Sequence, residues 1–182
     1  PQLAKAKISF ALSTLSDPSA DPGLKVDAIS FLRLNRPEKY ITDIQGLINP
    51  REAIDVQIAA LRLLNSIDGE SFQFATYVFD NWDRFSSRLH QESIALMMKK
   101  ERNNQALLSA VKSGKLHKSN ISWSHTFDLL NHGNDEIKSL ARQLLAGDEI
   151  PKGDLLNKFQ TSLSGNGDRQ KGKELYTTHC ST

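Results

Sequence analysis

The 182-residue chain sets 23 lysines and arginines against 21 aspartates and glutamates, a net charge of +2 at pH 7. That near balance lacks the basic stripe of a strong nucleic-acid binder, and no run approaches the roughly 18 apolar residues of a membrane span. A single cysteine excludes an internal disulfide, and a chain of this length can bury about 70% of its unfolded surface in one large domain or one compact array.

The N-terminal stretch PQLAKAKISF has neither an initiator methionine nor an apolar signal core, and reads as an internal cut that is silent about compartment. Asp21-Pro22 predicts a helix start before LKVDAISFLRLN, with aspartate capping free amides and proline in the first turn, where its missing N–H is not needed. Pro37 opens EKYITDIQGLI, and Asn49-Pro50, with Glu52 close behind, opens AIDVQIAALRLLNSI. Asp68 precedes ESFQFATYVFDNWDRF, and Gly133-Asn134 ends one helix and starts DEIKSLARQLLAG.

Inside these segments the apolar residues fall at three- and four-residue steps: Val26, Ile29, Leu32 and Leu34; then Ile54, Ile58, Leu61 and Leu64; then Phe72, Ala75, Phe79 and Trp82. No stretch of strict alternation competes, so the expected fold class is all-α. The segment from Asp55 to Asn65 lines up with that from Lys25 to Asn35 at an offset of 30, with looser versions in LHQESIALMMK and IKSLARQLLAG. Helix pairs recurring every 30 to about 50 residues predict an α-solenoid over residues 1–147, because each pair needs a neighbour to cover its open face. The array resembles irregular HEAT repeats; a plain multi-helix bundle is the competing fold.

Few residues in this region suggest chemistry. His117, His125, His132 and His179 lack metal-binding spacing, although His125 and His132 stand two helical turns apart. The basic run from Val111 to Asn120, with Lys99, Lys100 and Arg102 nearby, is interrupted by Glu101 and has no interleaved aromatics, so it reads as a solvated loop. Trp82, Trp123, Phe72, Phe79 and Phe127 read as interhelix core. Asp80 and Asp83 are isolated near a helix end, and no nucleophile–histidine–acid order or phosphate loop is present.

The grammar changes after Gly147. Asp154 precedes a short apolar helix (Leu155, Leu156, Phe159, Leu163), followed by a glycine-rich turn from Ser164 to Asp168, so residues 148–167 read as a linker with one docking helix. Residues 168–182, DRQKGKELYTTHCST, then place Gly172, Leu175 and Tyr176 ahead of Cys180, with three residues between Tyr176 and the cysteine. This pattern resembles the start of class I c-type cytochromes, GxxLY-xxx-CxxCH. The resemblance implies a first helix whose small Gly172 permits a close helix crossing, whose Leu175 and Tyr176 pack there, and whose Cys180 is a haem thioether anchor. It also implies that Cys-His follows Thr182 in the parent protein, and that this fragment alone cannot attach haem normally.

Residues 103–182 resemble more broadly the region before and into the cytochrome domain of large bacterial haem-binding CxxCH proteins of the planctomycete, verrucomicrobial and Bacteroidetes type. Members commonly carry an upstream propeller similar to glucose/sorbosone dehydrogenases, which has no counterpart here. The resemblance implies a non-enzymatic scaffold in an extracytoplasmic, periplasmic or cell-surface protein, linking a dehydrogenase module to an electron-transfer cytochrome. Covalent haem c is expected only in the full-length parent, with no metal site in the fragment. Its partners would be adjacent domains of the same chain and a protein on the solenoid surface, with neither nucleic acid nor a membrane span. The alternatives are a free-standing HEAT-repeat adaptor and a HEAT-like DNA-binding protein of the alkylpurine glycosylase type, against which the weak net charge argues.

Overall fold

The structure, a computed structural model, describes residues 2–67, 72–146, 160–161 and 167–180. The helix start expected at Asp68 and the apolar helix expected after Asp154 lie outside the described residues. The chain divides into two compact units, Pro1–Leu145 and Ala146–Thr182. All regular structure among the described residues is helical, as the periodicity requires.

In the first unit the helices are α1 (Gln2–Ser16), α2 (Pro22–Leu32), α3 (Ile41–Gly46), α4 (Ile54–Ser66), α5 (Phe74–Asp80), α6 (Ser87–Met97), α7 (Glu101–Lys112), α8 (Trp123–Leu130) and α9 (Asp135–Leu145). Short side chains at their starts satisfy amides that have no partner within the helix. Asp21 Oδ1 accepts from the N–H groups of Gly23 and Leu24 at 2.8 and 3.3 Å, a cap worth about 1 kcal/mol. A Cβ at Gly23 would lie 2.9 Å from that oxygen, so the glycine lets the cap close. Ser86, Ser122 and Asn134 cap α6, α8 and α9 in the same way. Gly114, at φ +75°, takes the left-handed turn that ends α7.

Asn49-Pro50 departs from the expected helix start. Asn49 Oδ1 accepts the Arg51 N–H at 2.9 Å and closes a turn, while α4 begins only at Ile54, with Ala53 before it and no side-chain cap. Glu52 instead pairs with Lys25 across the fold at 2.7 Å, the lysine side chain only 3% exposed. The segment expected as one helix from Phe72 to Trp82 is the seven-residue α5 followed by a 3-10 turn at Trp82–Arg84. Leu34 falls beyond the end of α2 and is exposed rather than part of its stripe. At the other end of the unit, α8 stops at Leu130, before Gly133, so His125 and His132 share no helix.

The helix starts also depart from the expected offset of 30. Helices α2, α4 and α6 open at Pro22, Ile54 and Ser87, spacings of 32 and 33 residues rather than 30. At these spacings the inward positions coincide: Ala28, Ala60 and Ser93; Ile29, Leu61 and Ile94; Leu32, Leu64 and Met97, all buried. The offset of 30 would instead match buried Leu32 to exposed Arg62. A slip of two residues rotates a helix by about 200°, enough to exchange its inner and outer faces.

Helix α2 packs against α1 and α4, and α4 against α3 and α6; α5 packs on α7, and α7 on α9. Leu32, Ile44, Leu61, Leu64, Leu107 and Leu129 are fully buried between these neighbours. Around α5, Tyr77 lies 5.6 Å from Phe72 and 6.4 Å from Phe85 between ring centroids, and Trp82 stacks on His90 at 4.0 Å. Phe72 and Phe79 are core, as expected, and Trp82 is half-buried. Trp123 and Phe127 are not core: they are 78% and 55% exposed on α8.

In the second unit, α10 (Arg169–His179) is described by itself.

Candidate functional site

Helix α10 begins where the sequence requires. Asp168 Oδ1 accepts from the N–H groups of Gln170 and Lys171 at 2.9 and 3.0 Å, and its carbonyl receives the Gly172 N–H at 2.9 Å. Gly172, Tyr176 and Cys180 then recur at four-residue steps, with Leu175 beside them, so the four share one side of the helix. Cys180 closes the helix: its N–H donates to the Tyr176 carbonyl at 2.9 Å.

That side is bare. Leu175 is 54% and Tyr176 64% exposed, and the Cys180 thiol is free and exposed. Apart from the flanking residues and the helix's own backbone, nothing lies within 4 Å of the place a Cβ would take at Gly172. A glycine inside a helix costs about 1 kcal/mol relative to alanine, and no close approach in the described structure offsets that cost. Arg169, Lys171 and Lys173 make the surrounding surface basic.

A haem held through thioethers needs two cysteines and an axial histidine. Cys180 is accessible and unbonded, which fits one thioether anchor. The 182 residues hold no second cysteine and no histidine after Cys180, so the residues present fit one attachment point and supply no axial ligand.

The other candidates do not converge on chemistry. No group of three or more histidine, cysteine or carboxylate side chains gathers among the described residues. His117 Nδ1 lies 2.7 Å from the Ser119 hydroxyl, and His90 Nε2 lies 2.8 Å from the Trp82 carbonyl. His132 Nδ1 accepts the Asn134 N–H at 3.0 Å, which leaves the neutral ring's proton on Nε2. That nitrogen lies 3.3 Å from the buried side-chain amide of Asn104, where an accepting oxygen suits it.

Lys115 pairs with Asp80 at 3.1 Å, both exposed, and Asp83 is also exposed. The basic run is not wholly a solvated loop: Val111 and Lys112 complete α7, and Leu116 is buried.

Sequence reasoning missed an apolar furrow between α1 and α2 that includes Phe10, Leu24 and Phe31. The signal was there. Leu24 and Phe31 lie off the Val26, Ile29, Leu32 stripe, making α2 apolar around much of its circumference.

Compared with known protein families, curated proteins and solved structures, the chain matches none.

Proposed function

We propose that the chain is a scaffold segment of an extracytoplasmic c-type haem protein, a helical-repeat arm joining a dehydrogenase module to an electron-transfer cytochrome. The observation that carries this reading is the bare side of α10. Gly172, Leu175, Tyr176 and Cys180 lie together along an Asp168-capped helix, all of them exposed. Such a surface suits the first helix of a cytochrome awaiting the rest of its domain. Gly172 leaves room for a crossing helix, Leu175 and Tyr176 supply the packing, and Cys180 presents a thiol for one thioether bond. When bound through a complete CxxCH, haem would supply one-electron transfer; this segment's residues only hold and position it.

For the first unit we propose an α-solenoid of HEAT-like pairs. The recurring starts at Pro22, Ile54 and Ser87 and the successive packing of α2 on α4 and α4 on α6 support that reading. Its role is to space modules, and the segment itself performs no reaction.

The test extends the chain beyond Thr182 by its native sequence, about 100 residues for a small domain, and expresses it with c-type haem maturation. The pyridine haemochrome spectrum is expected to report covalent haem, lost or reduced to single-thioether attachment in Cys180→Ala. A folded, correctly matured product without covalent haem would overturn the proposal. Exposed Trp123 and Phe127 favour a second reading, a protein-binding adaptor, which would then take its place.

A further inference from the structure

Helices α2, α4 and α6 pack in succession, and a furrow of about 170 Å³ lies between the first two. Its walls carry Ser30 and Arg33 of α2 and Ala59 and Arg62 of α4, over an apolar floor that includes buried Ile29. A second furrow, about 350 Å³, lies between α6 and the segment entering α8, with Arg88, Gln91, Asn120 and His125 around it. Counted from the helix starts at Pro22 and Ser87, Val26 and Ser30 hold the places of Gln91 and Ala95. The first pair lines one furrow and the second pair the other, so both open on the same side of the row. The gap between α4 and α6 is bridged instead: Arg62 Nε donates to Glu92 at 2.7 Å. Those two residues hold the places of Ser30 and Ala59, whose small side chains leave the first furrow open.

The charges along the two furrows point to what fills them. Among the described residues no carboxylate lines the first, and Glu92 on the second is already engaged by Arg62. The side chains of Arg33 and Arg88 make no hydrogen bond or ion pair among the described residues. Arg62 gives one N–H of its guanidinium to Glu92 and keeps the others. Asp55, which holds on α4 the place of Arg88 on α6, lines neither furrow. Two guanidiniums on one small cavity repel each other until an anion lies between them, and their forked donors match a carboxylate. At about 170 Å³ the first furrow falls below the roughly 300 Å³ of an ordinary small-molecule site, so it takes one side chain rather than a free ligand. Packed helices lie about 8 to 10 Å apart, which sets the two furrows about 16 to 20 Å apart. An extended chain covers that distance in about six residues.

We propose that this side of α2, α4 and α6 binds an extended acidic segment of a partner protein. One carboxylate sits between Arg33 and Arg62, and a second, about six residues along, meets Arg88 beside His125. The Arg62–Glu92 pair lies beneath the strand between them. The proposal concerns the first unit alone and is independent of the haem reading.

Fluorescence anisotropy with labelled decaglutamate, which its own charge keeps extended, tests it. Saturable binding is expected with a Kd below about 1 mM, lost in about 1 M salt. Arg33→Gln and Arg88→Gln each weaken it about tenfold, with unchanged helicity by circular dichroism. Arg142→Gln, exposed on α9 and outside both furrows, leaves it unchanged. Triglutamate, too short to reach both furrows, binds at least about tenfold more weakly than decaglutamate. An absence of saturable binding overturns the proposal, as does a loss in Arg142→Gln equal to that in Arg33→Gln. So does tighter binding of a single-stranded oligothymidylate through the same arginines, which would make the surface a reader of phosphate backbones.

Discussion

Helices α4 and α10 are similar in length, 13 and 11 residues, yet α4 buries eight of its residues and α10 none. Both carry apolar residues at helical spacing. What separates them is company: α4 lies among α2, α3 and α6, whereas Leu175 and Tyr176 on α10 remain exposed. Helical periodicity thus marks a surface that can be buried, and its neighbours decide whether it is. The energetics follow. The stability of α4 comes from tertiary packing, while α10 relies on its Asp168 cap and backbone bonds, which are marginal for an isolated helix of this length.

The largest effect that would sharpen this contrast is a truncation on each helix. Leu64→Ala, at a fully buried position, is expected to cost about 3 to 5 kcal/mol in urea unfolding. Leu175→Ala should cost no more than about 0.5 kcal/mol. Equal losses would break the comparison by showing that α10 is covered in solution.

Next comes the buried ion pair that ties α2 to the turn before α4. Glu52→Ala leaves the Lys25 ammonium buried without its partner and is expected to destabilise by about 3 kcal/mol. Adding Lys25→Met should recover most of that loss. Urea midpoints of the two single variants and the double variant decide it, and additive losses would contradict the pairing.

A smaller effect is local to α10. Asp168→Ala removes the acceptor for two helix-start amides and should cost about 1 kcal/mol of helix stability. The readout is faster amide exchange at Gln170 and Lys171, with exchange in α4 unchanged.

The smallest concerns Tyr77, beside Phe72 and Phe85. Burial raises its phenol to about 12, from about 10 when free. Between those values the unfolded chain releases a proton that the folded chain keeps, so stability is full below about pH 10 and declines towards about pH 12. Tyr77→Phe should flatten that alkaline arm in thermal melts across the range; an unchanged arm would assign it to other groups.

The sequence was legible where the deciding interactions are short. Asp21, Asn134 and Asp168 accept amides two or three residues ahead, so composition alone locates those three starts. The grouping of Gly172, Leu175, Tyr176 and Cys180 came instead from the resemblance to a cytochrome's first helix; the first three lie on α10 and Cys180 caps it. The repeat register was harder, because α4 is covered on several sides and tolerates aliphatic residues around much of its circumference. Its leucines can therefore be matched to those of α2 at more than one offset, and the buried faces of the two helices coincide at 32 rather than at 30. Likewise, no local rule reveals that Glu52 answers Lys25, 27 residues away. Nor does helical spacing alone say that Phe79 faces a neighbour while Trp123 and Phe127 face water.

The position of the only thiol has a practical corollary. Cys180 is exposed at the very end of α10 and has no competing cysteine anywhere in the 182 residues. A maleimide-linked spin label would therefore attach at one known place without any prior substitution. Its spectrum would report tumbling at the margin of the bare stripe, broad when another body settles there and sharp when none does. The protein thus carries its own gauge of whether that surface has been claimed.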